Sequence, residues 1–110
     1  MPKKKIAGLK METGFQQFVL DQLRGMPGVT CRAMFGGYGL YQNGRFFGII
    51  HNGRLYFKTH DRTKEQYLQQ GMKPFRPNRS QTLKNYYEVP GEVIEDPDCL
   101  ATWAKDAADF

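Results

Sequence analysis

The chain has 110 residues, of which 40% are apolar and 25% charged, so its composition indicates one globular domain with its own core. No apolar run approaches the roughly 20 residues of a membrane-spanning helix, and the basic start MPKKKIAGLK lacks the apolar stretch of a secretory signal. Cys31 and Cys99 are too few and too far apart for a metal framework and predict reduced thiols in a cytoplasmic protein.

The net charge of +5 divides unevenly along the chain. Residues 1–86 contain 15 of the 16 Lys and Arg residues and four acids, whereas residues 87–110 contain one lysine and seven acids. The first segment therefore carries +11 and the second −6. A basic body favours an anionic partner. The alternative, that the acidic segment folds back and partly neutralises the body, stays open at this point.

The predicted elements begin after a flexible basic arm, residues 1–10. Between residues 11 and 24, apolar side chains recur at the i, i+4, i+7, i+8 spacing of an amphipathic helix. Gly and Pro in residues 25–28 end this helix, and a strand is predicted over Val29–Met34. The pair Gly36-Gly37 then permits a bulge or an unusual backbone angle.

The stretch from Met34 to Lys58 organises the rest of the chain. It contains two Asn-Gly pairs, Asn43-Gly44 and Asn52-Gly53, each between runs of aromatic and branched residues. Asn-Gly favours the type I′ turn of a hairpin, because both central residues of that turn need positive φ. The stretch therefore predicts three antiparallel strands in a meander.

A second helix is predicted from Asp61 to Gln70, with Asp61 or Thr59 as its cap and Gly71 as its end. After it, the prolines at 74 and 77 restrict residues 73–76 to an edge strand. A longer strand is predicted from Leu83 to Val89.

The last helix has a clear start, with Asp96 as N-cap and Pro97 as its first residue. The predicted order is α-β-β-β-α-β-β-α. Such an order is typical of an α+β domain in two layers, with a mostly antiparallel sheet.

Several short motifs resemble the N-terminal domain of the TfoX/Sxy family: MFGGYGLY at 34–41, LYFK at 55–58 and YYEVP at 86–90. The motif positions are Met34, Phe35, Gly36, Gly37, Gly39, Tyr87 and Pro90. The resemblance implies that residues 11–110 form a single domain of this type, with a secretion-chaperone-like α+β fold. It implies regulation of bacterial competence genes together with the cyclic-AMP receptor protein. Full-length members carry a second, helical domain, so this chain is expected to be a stand-alone copy.

Side-chain alternation in the meander predicts two sheet faces. If both hairpins are regular, one face is apolar and covered by helices, with Tyr41, Phe46, Ile50, Leu55 and Phe57. The other has an apolar centre and a basic rim. This candidate binding face consists of Tyr38, Leu40, Arg45, Phe47, Ile49, Arg54, Tyr56 and Lys58.

Three interpretations of the candidate binding face compete. It is a protein interface or dimer surface, since an apolar patch with a polar rim is typical of one. Alternatively, a helix or the N-terminal arm covers it. Thirdly, it binds single-stranded nucleic acid by stacking bases on Tyr38, Phe47 and Tyr56.

The sequence contains no recognisable catalytic or cofactor motif. His51 and His60 have no cysteine or carboxylate at zinc-ligand spacing, and no signature surrounds Cys31. The leading hypothesis is therefore a non-enzymatic regulatory domain without cofactor or metal that binds a protein partner or a second copy. The alternative is a largely non-specific DNA-binding domain that uses Lys3, Lys4, Lys5, Arg45, Arg54, Lys58, Arg76, Arg79 and Lys84.

Overall fold

A computed structural model describes residues 11–34 and 36–109 of the chain. The predicted N-terminal arm, with Lys3, Lys4 and Lys5 of the DNA-binding hypothesis, and Phe35 of the family motif lie outside these residues. The described elements, in chain order, are α1 (Met11–Gln22), β1 (Val29–Met34), β2 (Gly37–Gln42), β3 (Arg45–His51), β4 (Arg54–Lys58), α2 (Asp61–Gln69), β5 (Pro74–Asn78), β6 (Gln81–Glu88), α3 (Gly91–Ile94) and α4 (Pro97–Ala108).

The six strands form one antiparallel sheet in the order β1-β2-β3-β4-β6-β5. Both Asn-Gly turns are confirmed: φ is 50° at Asn43 and 85° at Gly44, and 52° at Asn52 and 72° at Gly53. These positive angles suit the type I′ hairpin. The α+β class is thereby confirmed.

The predicted element order is one strand short. Four strands precede α2: Val29–Met34 and the three strands of the meander were each predicted, but the predicted order counts only three of them. A short helix, α3, was not predicted either. The predicted edge strand is found at the sheet margin as Pro74–Asn78. Proline lacks a backbone N–H to donate and is therefore tolerated in an edge strand.

The helix caps agree with the sequence only in part. Asp96 is the N-cap of α4, and its Oδ1 accepts hydrogen bonds from the backbone N–H groups of Asp98 and Cys99 at 3.1 and 3.2 Å. The N-cap of α2 is His60, not Asp61 or Thr59. The hydroxyl of Thr59 is committed elsewhere, since it donates to the Asn85 carbonyl at 3.0 Å.

All four helices contribute to one main core on one face of the sheet, here called the helix-covered face. The strands supply large apolar side chains, and α4 supplies small ones that let it approach the sheet closely. The most buried members of this core are Val19, Leu23, Leu40, Phe47, Ile50, Leu55, Phe57, Tyr67, Val89, Leu100 and Ala104.

The opposite face carries a second, smaller cluster of strand residues and is here called the strand-only face. Ile49, Tyr56 and Phe75 form its buried centre, and Phe46, Leu83 and Tyr86 pack around them. No residue of the described helices belongs to this cluster.

The β5–β6 hairpin curls over the strand-only face. The Phe75 ring of β5 lies 4.7 Å from the Tyr56 ring of β4 and 5.3 Å from the His51 ring of β3, although β6 separates β5 from β4. In a flat sheet, strands two apart lie about 10 Å from each other. Register irregularities around Phe75 supply the bend, so strands, not a helix, bury the centre of this face.

Tyr67 of α2 makes the stability of this core sensitive to alkaline pH. Its ring is buried against the Trp103 ring at 4.8 Å. Burial, and secondly the Asp106 carboxylate, raise the pKa of the Tyr67 phenol well above its ordinary value of 10.0. The folded state therefore keeps this proton at a pH where the unfolded chain has lost it.

We expect the free energy of unfolding to fall as pH rises above 10, with Tyr67 contributing up to about 1.4 kcal/mol per pH unit. Urea titrations from pH 9 to 11.5 measure this slope. Tyr67→Phe should make the decline shallower. A residual decline should remain, because burial also raises the pKa of Tyr56 and Tyr86. Identical slopes in wild type and variant would contradict the assignment.

Candidate functional site

A β-bulge in β3 divides the predicted candidate binding face into two groups. Tyr41 pairs with Phe46, as a regular hairpin requires, but Leu40 pairs with Gly48. Phe47 is therefore an extra residue in its strand. Side chains alternate between the two faces with a period of two. The single extra residue therefore reverses the predicted face of the side chains at the Asn43-Gly44 end of the hairpin relative to those beyond the bulge.

Half of the candidate binding face lies on the helix-covered side. Leu40 and Phe47 are fully buried in the main core, and Tyr38 packs against it. Arg45 points to α4, where its Nη1 donates a hydrogen bond of 3.2 Å to the Ala108 carbonyl. Grouping these four residues on one face with Ile49, Arg54, Tyr56 and Lys58 was wrong, because the regular alternation assumed for the hairpin does not hold.

The other half lies on the strand-only face. Ile49 and Tyr56 belong to its buried cluster, and Lys58 pairs with Tyr86 across β4 and β6. Arg54 is largely exposed and forms an ion pair of 3.1 Å with Glu88. Their role in binding stays a prediction, but they are neighbours on one face.

Tyr41 and Phe46, which were predicted on the helix-covered face, lie on the strand-only face. The ring of Phe46 lies 5.3 Å from that of Tyr41 and 5.4 Å from that of Tyr86. Arg32 completes this aromatic row, its guanidinium carbon lying 5.3 Å from the Tyr41 ring centre. All three rings are half-buried.

A basic cleft lies at the β4–β5 end of the same face. Its volume is about 290 Å³, and Arg54, Lys73, Arg76, Tyr56 and Glu88 contribute to its lining. Burial, and secondly Glu88, raise the pKa of Tyr56 above its ordinary value of 10.0, and its neutral phenol can donate a hydrogen bond. Three cations face one carboxylate here, so the cleft is suited to an anion.

A second cleft, of about 230 Å³, lies between α1 and α3 and is here called the α1–α3 cleft. Its floor includes the buried residues Leu55, Val89 and Ile94. Phe18 lines it and is 41% exposed, one of two large apolar side chains this exposed among the described residues. Its charged lining consists of Arg54, Glu88 and Glu95.

The glycines of the family motif have structural roles. Gly36 adopts a positive φ of 79° in the turn before β2. A Cβ at Gly37 would lie 3.1 Å from the carbonyl carbon of Ile50 and closer still to its oxygen. A Cβ at Gly39 would press against Met34 and Phe46.

The other motif positions are also close to packed structure. Tyr87 packs against the main core, where its ring lies 6.1 Å from that of Tyr67. Pro90 is the N-cap of α3. The described motif residues therefore shape the fold.

The residues considered for catalysis or metal binding are dispersed. Cys31 packs on the helix-covered side and accepts a hydrogen bond of 2.8 Å from Gln16, whereas His51 contacts Phe75 on the strand-only face. His60 caps α2. Within residues 11–34 and 36–109, no three His, Cys, Asp or Glu side chains are placed to hold a metal ion.

Comparison with known families decides the relationship of this chain. The family model described as the TfoX N-terminal domain matches residues 21–110, which covers the sheet and all helices after α1. The chain belongs to the TfoX N-terminal domain family. The suspected resemblance is thereby confirmed. A search among curated proteins found no match. In the described part of this TfoX-type chain, no helix is long and apolar enough to cross a membrane.

Proposed function

We propose that this chain is a non-enzymatic regulatory domain that acts in the bacterial cytoplasm by binding a protein partner. Membership of the TfoX N-terminal domain family supports the regulatory part, with competence-gene transcription as the proposed process. The main support for a protein contact is the exposed Phe18 side chain beside the α1–α3 cleft. Aromatic side chains that border an apolar depression are frequent anchors of protein interfaces.

The charges around the α1–α3 cleft define the chemistry of the partner. Arg54 and Glu88 line the cleft as an ion pair, which leaves Glu95 as the uncompensated acid of the lining, and Glu92 lies on the same short helix, α3. Residues 87–110 as a whole carry −6. The partner segment therefore presents an apolar anchor side chain flanked by lysine or arginine, because the opposite charge steers association and excludes acidic competitors.

If the α1–α3 cleft binds a protein partner, crosslinking to that partner should occur from Phe18 and not from an exposed residue elsewhere. A photo-crosslinking amino acid placed at Phe18 should form a covalent adduct with one protein in cells of the source bacterium. The same amino acid at Leu68 is the matched control, because Leu68 is 49% exposed but lies on α2, outside the α1–α3 cleft. Glu95→Lys should reduce the adduct at Phe18.

Once the adduct identifies the partner, its affinity can be measured. Phe18→Ala should weaken binding about tenfold, and Leu68→Ala less than about twofold. Transcript profiles should follow the same ranking. An adduct that forms equally at Leu68, or that persists in Glu95→Lys, would overturn the proposed cleft. A partner bound normally while all transcripts stay unchanged would overturn the regulatory role.

A further inference from the structure

The aromatic row on the strand-only face is partly accessible to solvent. Tyr41, Phe46 and Tyr86 are half-buried, with consecutive ring centres 5.3 and 5.4 Å apart. They come from β2, β3 and β6, so the row runs across the strands. A row of rings on a sheet is a surface on which planar bases can stack.

Cations stand at both ends of this row. Arg32 lies over Tyr41 at one end. At the other end, Tyr56 leads into the basic cleft with Arg54, Lys73 and Arg76. Glu88 is the acid in the lining, and its carboxylate is already engaged by Arg54. From β1, which carries Arg32, to β4, which carries Arg54, the sheet spans three strand spacings or about 14 Å, so a short, extended polyanion can reach from one end of the row to the basic cleft.

We infer that the strand-only face binds single-stranded nucleic acid, with bases stacked on the aromatic row and phosphates held at the basic cleft and at Arg32. Single strands are favoured over duplex because only unpaired bases can leave their neighbours and stack on protein rings. Arginine beside an aromatic ring adds a cation–π contribution to such stacking.

A protein ligand explains this surface less well. An acidic peptide would satisfy the cations, but it would leave three neighbouring rings without a flat partner. The basic body of the chain, +11 over residues 1–86, also favours a ligand with a regular series of negative charges. The inference uses residues distinct from Phe18 and Glu95, so either proposal can fail without the other.

Fluorescence anisotropy with a labelled 12-nucleotide oligothymidylate tests the inference, with the ribo-oligomer and a duplex of equal length in parallel. We expect the single strands, deoxy or ribo, to bind at least about fivefold more tightly than the duplex. Arg32, Lys73 and Arg76 would each contact a phosphate, since Arg54 is paired with Glu88. Three such contacts should give a slope of about −2 for log affinity against log salt.

Two pairs of variants separate stacking from charge. Tyr41→Ser should weaken oligothymidylate binding about fivefold or more at unchanged salt slope, and Phe46→Ser provides a second test of the same row. The double variant Lys73→Glu and Arg76→Glu should weaken binding about tenfold and reduce the slope by about 1. The double variant Arg62→Glu and Lys105→Glu is the matched control, since it changes the net charge equally on exposed helix positions.

The affinities of these variants either support or overturn the inference. Loss of affinity in the aromatic and cleft variants, with near-normal affinity in the helix control, supports the inference. Equal loss in both charge variants would mean attraction by net charge only and would overturn it. Duplex bound as tightly as single strands, Tyr41→Ser and Phe46→Ser both binding normally, or oligoglutamate competing as well as unlabelled oligothymidylate would also overturn it.

Discussion

Phe47→Ala is expected to lower the free energy of unfolding by about 3–5 kcal/mol, the range for a large aromatic residue truncated in a core. The Phe47 side chain is fully buried, and its ring lies 5.7 Å from that of Phe57. The cavity would open between the sheet and its helices, where neighbouring strands cannot collapse to fill it. Urea unfolding of the two proteins at pH 7 measures the difference.

Phe46→Ala is the matched control for this prediction. Phe46 is its chain neighbour with the same side chain, but it is half-buried on the strand-only face. Its loss removes contacts with Tyr41 and Tyr86, for which about 1 kcal/mol is expected. Equal costs, or a larger cost at Phe46, would mean that β3 alternates regularly and that Phe47 is not an extra residue.

The elements that were predictable from sequence are those fixed by local chemistry. Positive φ at Asn43-Gly44 and Asn52-Gly53 requires residues that tolerate the left-handed region, so both hairpins could be placed. Local chemistry also made the start of α4 predictable from Asp96 and Pro97, and the edge position of β5 predictable from its prolines. Each signal acts within a few residues.

The bulge at Phe47 has no such local signature. It is specified by packing, because it turns Phe47 into the main core and Phe46 towards Tyr86. Both residues are aromatic, so either alternation gives an equally apolar pattern along the strand. The hairpin ends were therefore predicted correctly, whereas the faces between them were not.

The candidate surfaces depend on contacts still more distant in sequence. Phe75 reaches His51 only because the β5–β6 hairpin curls over the sheet. The basic cleft likewise combines Arg54 with Lys73 and Arg76 from beyond α2. The sequence showed the excess of positive charge, but the grouping of these cations follows from the curvature of the sheet.

The second large effect concerns Gly37, in the motif that most strongly marks the family resemblance. Gly37→Ala is expected to lower the free energy of unfolding by about 2–3 kcal/mol, the cost of overpacking a site that cannot move. The added Cβ would meet the backbone of β3, at 3.1 Å from the Ile50 carbonyl carbon and 3.2 Å from the His51 Cα. Backbone atoms inside a paired sheet cannot turn aside as a side chain can, so the start of β2 must separate from β3.

Two further glycines give this prediction a graded control. A Cβ at Gly39 would press on the side chains of Met34 and Phe46, which can rotate, so Gly39→Ala should cost less than Gly37→Ala. Nothing lies within 4 Å of a Cβ at Gly91, at the start of α3, so Gly91→Ala should be neutral or stabilise by up to about 1 kcal/mol. Chemical unfolding of the three variants ranks them directly. If Gly37→Ala proved as stable as Gly91→Ala, the close approach of β2 to β3 would be wrong, and the motif glycine would need an explanation in binding instead of packing.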